Sequence, residues 1–304
     1  MPEGKDVEEL QYNGYRFAFS RWGDRDAPAI MLIMGLGMPG IAWPETLIAM
    51  LVREGFQVIV PDNRDCGKSS RFDDFVPDGK DVAEAIARTL LRRRVTSGYA
   101  LEDMAFDLER LLNELGIRRV HVVGISMGGM IAQVMAVQCP NRVATLTSIA
   151  SASGNPSTGL GRATAIWKLL KKPESDSTEG LRNYFRGVFT ALAGPKYQPA
   201  EPELESMLNR IETFNYDPAA MYRQLLAILA SGDRSWQLAR LQLPTLVIHG
   251  TADPLLPLAA GEETARLIPE AKLVSIQGMG HQLPEALVPE IGSLIAGHCH
   301  THPA

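Results

Sequence analysis

Cysteine is scarce in this chain: three residues in 304, Cys66, Cys139 and Cys299. Their spacings form neither a metal-ligand pattern nor a disulfide framework, which suits a reducing compartment, so a cytoplasmic location and no metal are expected. Basic charge is not in excess either. With 30 Lys and Arg against 35 Asp and Glu the net charge is −5, which argues against nucleic acid or an anionic membrane as a main partner. No apolar run reaches the roughly 18–20 residues that span a bilayer. The opening stretch, Met1-Pro2-Glu3-Gly4-Lys5-Asp6, is polar and acidic and lacks the pattern of a secretory signal. Internal repeats and low-complexity tracts are missing too. What is present is an ordinary soluble globular composition, 45% apolar and 21% charged. The length suits one large α/β domain or two small ones.

Turn signals and apolar runs divide the chain. Residues 9–22 read as a hairpin around Asn13-Gly14. Continuous apolar runs at Ala29–Met34 and Gln57–Pro61 read as strands buried on both faces. Helical spacing runs over Trp43–Glu54 and over Leu101–Leu115, with Gly116 placed as a C-cap. A basic helix is expected over Val82–Arg94, with Arg92-Arg93-Arg94 as its solvated C-terminus. Residues 142–150 read as a strand, and the pattern resumes at Thr245–His249 and Lys272–Ile276. A helix is expected between those two strands and another from Pro284 to His298, with a frayed tail after it. Alternating strands and helices imply a mostly parallel sheet wound on both faces, behind an N-terminal antiparallel hairpin. Residues 151–240 break the pattern. They hold helical stretches, no buried strand and many large rings, among them Trp167, Tyr184, Phe185, Phe189, Tyr197, Phe214, Tyr216, Tyr222 and Trp236. The expected organisation is therefore a core of residues 1–150 and 241–304 with residues 151–240 inserted as a helical lid.

The densest chemical signal is Val120-His121-Val122-Val123-Gly124-Ile125-Ser126-Met127-Gly128-Gly129-Met130. A β-branched run enters Gly-x-Ser-x-Gly and an apolar helical pattern leaves it, the strand–turn–helix setting in which the pentapeptide forms a nucleophile elbow. The turn needs small residues two before and two after the serine, and Gly124 and Gly128 supply them. Ser126 is the candidate nucleophile.

A serine hydroxyl needs a base within hydrogen-bond reach. Two later strands end in glycine-rich loops, one presenting Asp253 in Gly250-Thr251-Ala252-Asp253-Pro254, the other His281 in Gly278-Met279-Gly280-His281. Parallel strands bring their C-terminal ends to one edge, so Ser126, Asp253 and His281 can meet there. Of the other histidines, His249 and His121 read as packed or hydrogen-bonded core residues. Two N–H donors must also face the oxygen on which charge develops. The backbone N–H of Met127 is one; Gly35-Leu36-Gly37, after the first parallel strand, offers the other at Leu36.

These pieces, with Met34-Gly35, Trp43-Pro44 and Asp62-Asn63-Arg64-Asp65-Cys66-Gly67-Lys68-Ser69, give the chain a resemblance to serine esterases of the α/β-hydrolase fold over nearly its whole length. The Met-Gly…Trp-Pro pattern and Arg64-Asp65 are similar to the aclacinomycin methylesterase subgroup, where many family members carry His-Gly and Arg-Gly instead. The resemblance implies carboxylic-ester hydrolysis; the triad implies an acyl-enzyme with no organic cofactor, and the ring-rich insertion, a few of whose rings are expected to line an apolar pocket, implies small to medium apolar substrates. C–C bond hydrolase, lactonase, thioesterase and cofactor-free perhydrolase chemistry stay open on the same triad, as does a ligand-binding receptor on the same fold. A monomer and a homodimer are equally compatible with the sequence.

Overall fold

The computed structural model describes residues 7–159, 161–175, 177–212 and 216–304. Val7–Tyr12 (β1) and Tyr15–Trp22 (β2) form an antiparallel hairpin. Asn13 and Gly14 close it with both φ values positive, 46° and 82°, as a two-residue turn matched to strand twist requires. Next come Ala29–Ile33 (β3), Glu45–Arg53 (α1), Gln57–Pro61 (β4), Gly79–Leu90 (α2), Leu101–Glu114 (α3), Val120–Ile125 (β5), Met127–Gln138 (α4) and Val143–Ile149 (β6). The insertion carries Ala163–Leu170 (α5), Thr178–Leu192 (α6), Glu201–Glu212 (α7), Pro218–Ser231 (α8) and Ser235–Leu238 (α9). Thr245–Gly250 (β7), Leu258–Leu267 (α10), Lys272–Ile276 (β8) and Val288–Thr301 (α11) complete the chain.

One eight-stranded sheet results, in the order β1-β2-β4-β3-β5-β6-β7-β8. The pairs β1/β2 and β2/β4 are antiparallel and all others are parallel. Every residue of β3, β4, β5, β6 and β7 is buried, because helices cover both faces. Alternation then feeds two cores. Val120 and Val122 join the cluster beneath α3 and α4, whereas Val123 and Ile125 join Leu47, Leu51, Ile291 and Ile295 of α1 and α11.

Among the described residues the insertion contains helices and no strand. Phe185, Phe189, Leu204 and Leu208 give α6 and α7 a small core of their own, and Arg186 pairs with Glu201 at 2.7 Å. Helix α8 behaves differently. It buries Met221, Tyr222, Arg223, Gln224 and Leu226 and rests on the sheet's own loops. A buried guanidinium and amide must find partners, and theirs lie in the loops that follow β3 and β4.

Two expectations at helix ends are corrected. Helix α2 stops at Leu90, before the arginine triplet. Arg92 takes φ 53°, Arg92 N–H donates to Thr89 O and Arg93 N–H donates to Arg88 O, which is a Schellman closure with arginine where glycine is usual. The tail is not frayed: α11 continues to Thr301, with Cys299 and His298 buried and His298 facing the Pro244 carbonyl.

Candidate active site

Ser126 lies between β5 and α4 with φ 55° and ψ −123°, a left-handed backbone rare for a residue with a side chain. Close packing holds it there. A Cβ on Gly124 would sit 2.1 Å from Gly128 O, and one on Gly128 would sit 2.0 Å from Ile33 O. Neither position admits any other residue. Ser126 N–H donates to Ile149 O at 2.9 Å, and the Ser151 hydroxyl donates to Ser126 O at 2.8 Å. The turn is therefore pinned to β6 and to the residues just after it.

Asp253 and His281 follow β7 and β8, neighbours on the same side of β6. His281 Nδ1 lies 2.8 Å from Asp253 Oδ2 and His281 Nε2 lies 2.9 Å from Ser126 Oγ. A carboxylate only accepts, so Nδ1–H donates to Asp253 and the Nε2 lone pair faces the serine hydroxyl. The other carboxylate oxygen of Asp253 accepts from Leu255 N–H and Leu256 N–H, at 2.8 and 2.9 Å. The structure thus brings together the three residues singled out from the sequence, at distances that allow proton transfer from serine to imidazole.

His249 is fully buried beside this group, 3.5 Å from Asp253 Oδ2. Its Nε2 lies 2.9 Å from Leu256 O, so it braces the Asp253 turn. Burial lowers its pKa. His121 lies farther away, with Nδ1 3.0 Å from Thr145 Oγ1, and burial brings its pKa down to about 4.

The Gly35–Met38 segment passes directly over the serine. A Cβ on Gly35 would stand 3.2 Å from the Ser126 Cβ. The N–H groups of Leu36 and Met127 make no hydrogen bond among those found for the described residues. Both are therefore available to an oxygen placed at Ser126. Asn63 Nδ2 donates to Met34 O at 3.0 Å, and Gln224 Oε1 accepts from Gly37 N–H at 2.7 Å. Gln224 and Ser151 carry no sequence signal of their own, although Ser151 lies just after β6 at the sheet's C-terminal edge; Asn63, just after β4, falls inside the Asp62–Ser69 stretch that carries the resemblance.

A cavity of about 150 Å³ opens onto Ser126 and His281. Of the insertion rings, Tyr184, Phe185, Phe189 and Tyr216 line it, together with Val188, Met207 and Leu255. Trp167 and Trp236 are exposed at 61% and 62%, so neither serves the pocket, and Phe214 lies outside the described residues. Arg210 is the one arginine or lysine among the described residues of a mostly apolar wall, with Nη1 3.5 Å from Trp43 O. The insertion also touches the histidine loop: His281 N–H donates to Leu192 O at 2.8 Å, at the end of α6. No metal-binding cluster of His, Cys, Asp or Glu occurs among the described residues, and none of their helices is long and apolar enough to cross a membrane.

The family model described as the alpha/beta hydrolase fold matches residues 28–198, and one described as TAP-like protein matches residues 230–286. The chain is 28% identical over 293 residues to the rhodomycin D methylesterase DauP of Streptomyces sp. (strain C5), covering 90% of this chain and 91% of the relative. It is 27% identical over 261 residues to a 2-hydroxy-6-oxononadienedioate/2-hydroxy-6-oxononatrienedioate hydrolase of Cupriavidus pinatubonensis, covering 84% and 81%. Among solved structures, the 2-hydroxy-6-oxo-6-phenylhexa-2,4-dienoate hydrolase of Rhodococcus sp. strain RHA1 superposes with a TM-score of 0.73 at 22% identity, covering 99% of this chain and 100% of that one.

Proposed function

The chain belongs to the alpha/beta hydrolase fold family, and from that premise we propose that it is a serine carboxylesterase acting on small to medium apolar esters. The observation that carries this reading is the hydrogen-bonded line from Asp253 through His281 to Ser126, 2.8 and 2.9 Å, at the mouth of an apolar cavity. His281 Nε2 takes the serine proton as Oγ attacks the ester carbonyl, and Asp253 holds the imidazolium that forms. The carbonyl oxygen takes up negative charge between the N–H groups of Leu36 and Met127, each such donor worth about 3–4 kcal/mol of transition-state stabilisation. The imidazolium returns its proton to the leaving alkoxide. Water, activated by the same imidazole, then releases the acyl group. No step calls for a metal or organic cofactor.

Residues 151–240 act as the lid in this reading, supported by the side chains of α6, α7 and α8 that line the cavity. The likeness to a methylesterase supports ester chemistry. A second reading, C–C bond hydrolysis of a vinylogous diketo acid, draws support from the other two relatives and from Arg210 in the wall, which would suit an acidic substrate. Turnover of p-nitrophenyl acetate and butyrate, wild type against Ser126→Ala, tests the proposal. Serine-dependent cleavage with butyrate preferred is expected. Inertness toward both esters alongside rapid cleavage of a meta-ring-fission acid would move the assignment to the second reading.

A further inference from the structure

Helix α8 makes contacts that neither a lid nor a passive wall requires. Gln224, fully buried, accepts from Gly37 N–H at 2.7 Å and donates through Nε2 to Arg64 O at 2.7 Å. Next to it, Arg223 holds Asp65 through two bonds of 2.9 and 2.7 Å. One turn earlier, Met221 lines the cavity and packs against Gly37. A single helix thus grips the loop after β3, the loop after β4 and the substrate cavity.

The local geometry gives the Gln224 bond its meaning. Gly35 O accepts from Met38 N–H at 3.2 Å, and Gly37 sits at φ 68°. With Leu36 outside the positive-φ set, this is a type II turn, its positive φ taken by glycine at the third position. Carbonyl and N–H of one planar peptide point opposite ways, so Gly35 O turned into the turn leaves Leu36 N–H facing out. The turn's own bond is long, so a second tie on its middle peptide, Leu36–Gly37, steadies the short segment that also carries Leu36 N–H. That peptide's N–H is the group Gln224 holds. No other side chain bonds to the N–H groups of residues 35–38 among the described residues.

We propose that Gln224 is a positioning residue of the oxyanion-binding turn: from helix α8 it ties the turn, through Gly37 N–H, to the loop after β4 and so holds the adjoining Leu36 N–H in place over Ser126. This rests on the esterase reading and adds that the insertion helps set the rate of the chemical step as well as the choice of substrate.

The test compares Gln224→Met with Leu225→Ala, the latter a half-buried neighbour on α8 that bonds to neither loop. Three quantities are read: kcat and KM for p-nitrophenyl butyrate, inhibition by trifluoromethyl pentyl ketone, and inhibition by hexanol. The ketone adds Ser126 Oγ to its carbonyl carbon, sends the serine proton to His281 and leaves an oxyanion; hexanol fills the cavity without one. A donor removed outright costs about 10²–10³ in rate, and a donor left misaligned is expected to cost about 10–100-fold in kcat, with KM within about twofold. Ketone affinity should weaken in step with kcat, hexanol affinity should hold, and Leu225→Ala should keep wild-type kcat. Should Gln224→Met fail to fold, Gln224→Asn, which withdraws the amide by one carbon, carries the same readouts. A folded Gln224 variant with wild-type kcat, an equal fall in Leu225→Ala, or a matching fall in hexanol affinity overturns the inference. Turnover surviving Ser126→Ala in the same assay would instead overturn the esterase reading beneath it.

Discussion

At the scale of single residues, the proposed chemistry falls to three side chains that act as one unit. Ser126→Ala and His281→Ala are each expected to lower kcat by roughly 10⁴–10⁶, and the double variant by little more. Additive losses measured in steady-state assays would contradict a shared proton path. Asp253→Asn should cost less than either, since His281 keeps its contact with Ser126 while its preferred tautomer is lost. These three positions were legible in the sequence because each needs glycine-rich backbone at a strand end, and glycine leaves a mark. The roles of Gln224 and Ser151 were not legible, and Asn63 showed only as one member of the Asp62–Ser69 stretch. They work through hydrogen bonds to backbone atoms far away in sequence, and a glutamine inside an amphipathic helix looks like any polar residue. Asp65 was visible only as a departure from the usual Arg-Gly. The structure gives the departure a partner: Asp65 accepts from Arg223, from the Tyr99 hydroxyl at 2.7 Å and from Phe72 N–H at 2.8 Å.

At the scale of elements, two predictions concern what anchors helices and strands. Arg223 and Asp65 are almost wholly buried, with side chains 3% and 0% exposed. Arg223→Met strands the carboxylate, and such a loss costs about 3–5 kcal/mol. Chemical unfolding should show that fall, whereas a change below about 1 kcal/mol, the scale of an exposed pair, would mean the pair does not tie α8 to the core. The second prediction concerns β5. Burial holds the His121 pKa at about 4, down from its ordinary 6.5. The folded state therefore binds fewer protons than the unfolded chain between those pH values, and stability is lost as pH falls through that window, by roughly 2–3 kcal/mol in total. His121→Leu removes this loss. Its stability relative to wild type, from urea midpoints, should improve as pH drops from 7 to 4; parallel curves would refute the burial argument. The strands and helices of the sheet were readable from apolar runs and turn residues. Helix ends were less so: Arg92 occupies a left-handed cap that composition assigns to glycine, and α11 runs on because Cys299 and His298 pack beneath it.

For the whole molecule, the strands of the eight-stranded sheet were readable from the apolar runs, and the helices α5–α9 lie between β6 and β7, where that patterning stops and resumes. The division of labour inside the insertion was not readable. Aromatic content pointed to a few rings at a pocket and most in packing; the described rings divide among cavity wall, packing and open surface, and α8 joins the core loops, which no ring marks. Substrate choice should accordingly respond to α6 and α7. Phe185→Ala and Phe189→Ala are expected to shift preference toward longer acyl chains, with each methylene accommodated worth about 1–3 kcal/mol of discrimination. Trp167→Ala and Trp236→Ala should leave the chain-length ratio unchanged. A panel from acetate to octanoate decides between these outcomes. The central claim, that Ser126 is the nucleophile of an ester hydrolase activated by His281 and Asp253, meets its most direct test in the mass of the trapped enzyme. After brief reaction with a p-nitrophenyl alkylphosphonate, peptide mass spectrometry should find one adduct, on Ser126, formed in step with loss of esterase activity and absent from Ser126→Ala. Full inactivation with Ser126 unmodified, or an adduct on another side chain, would contradict the account.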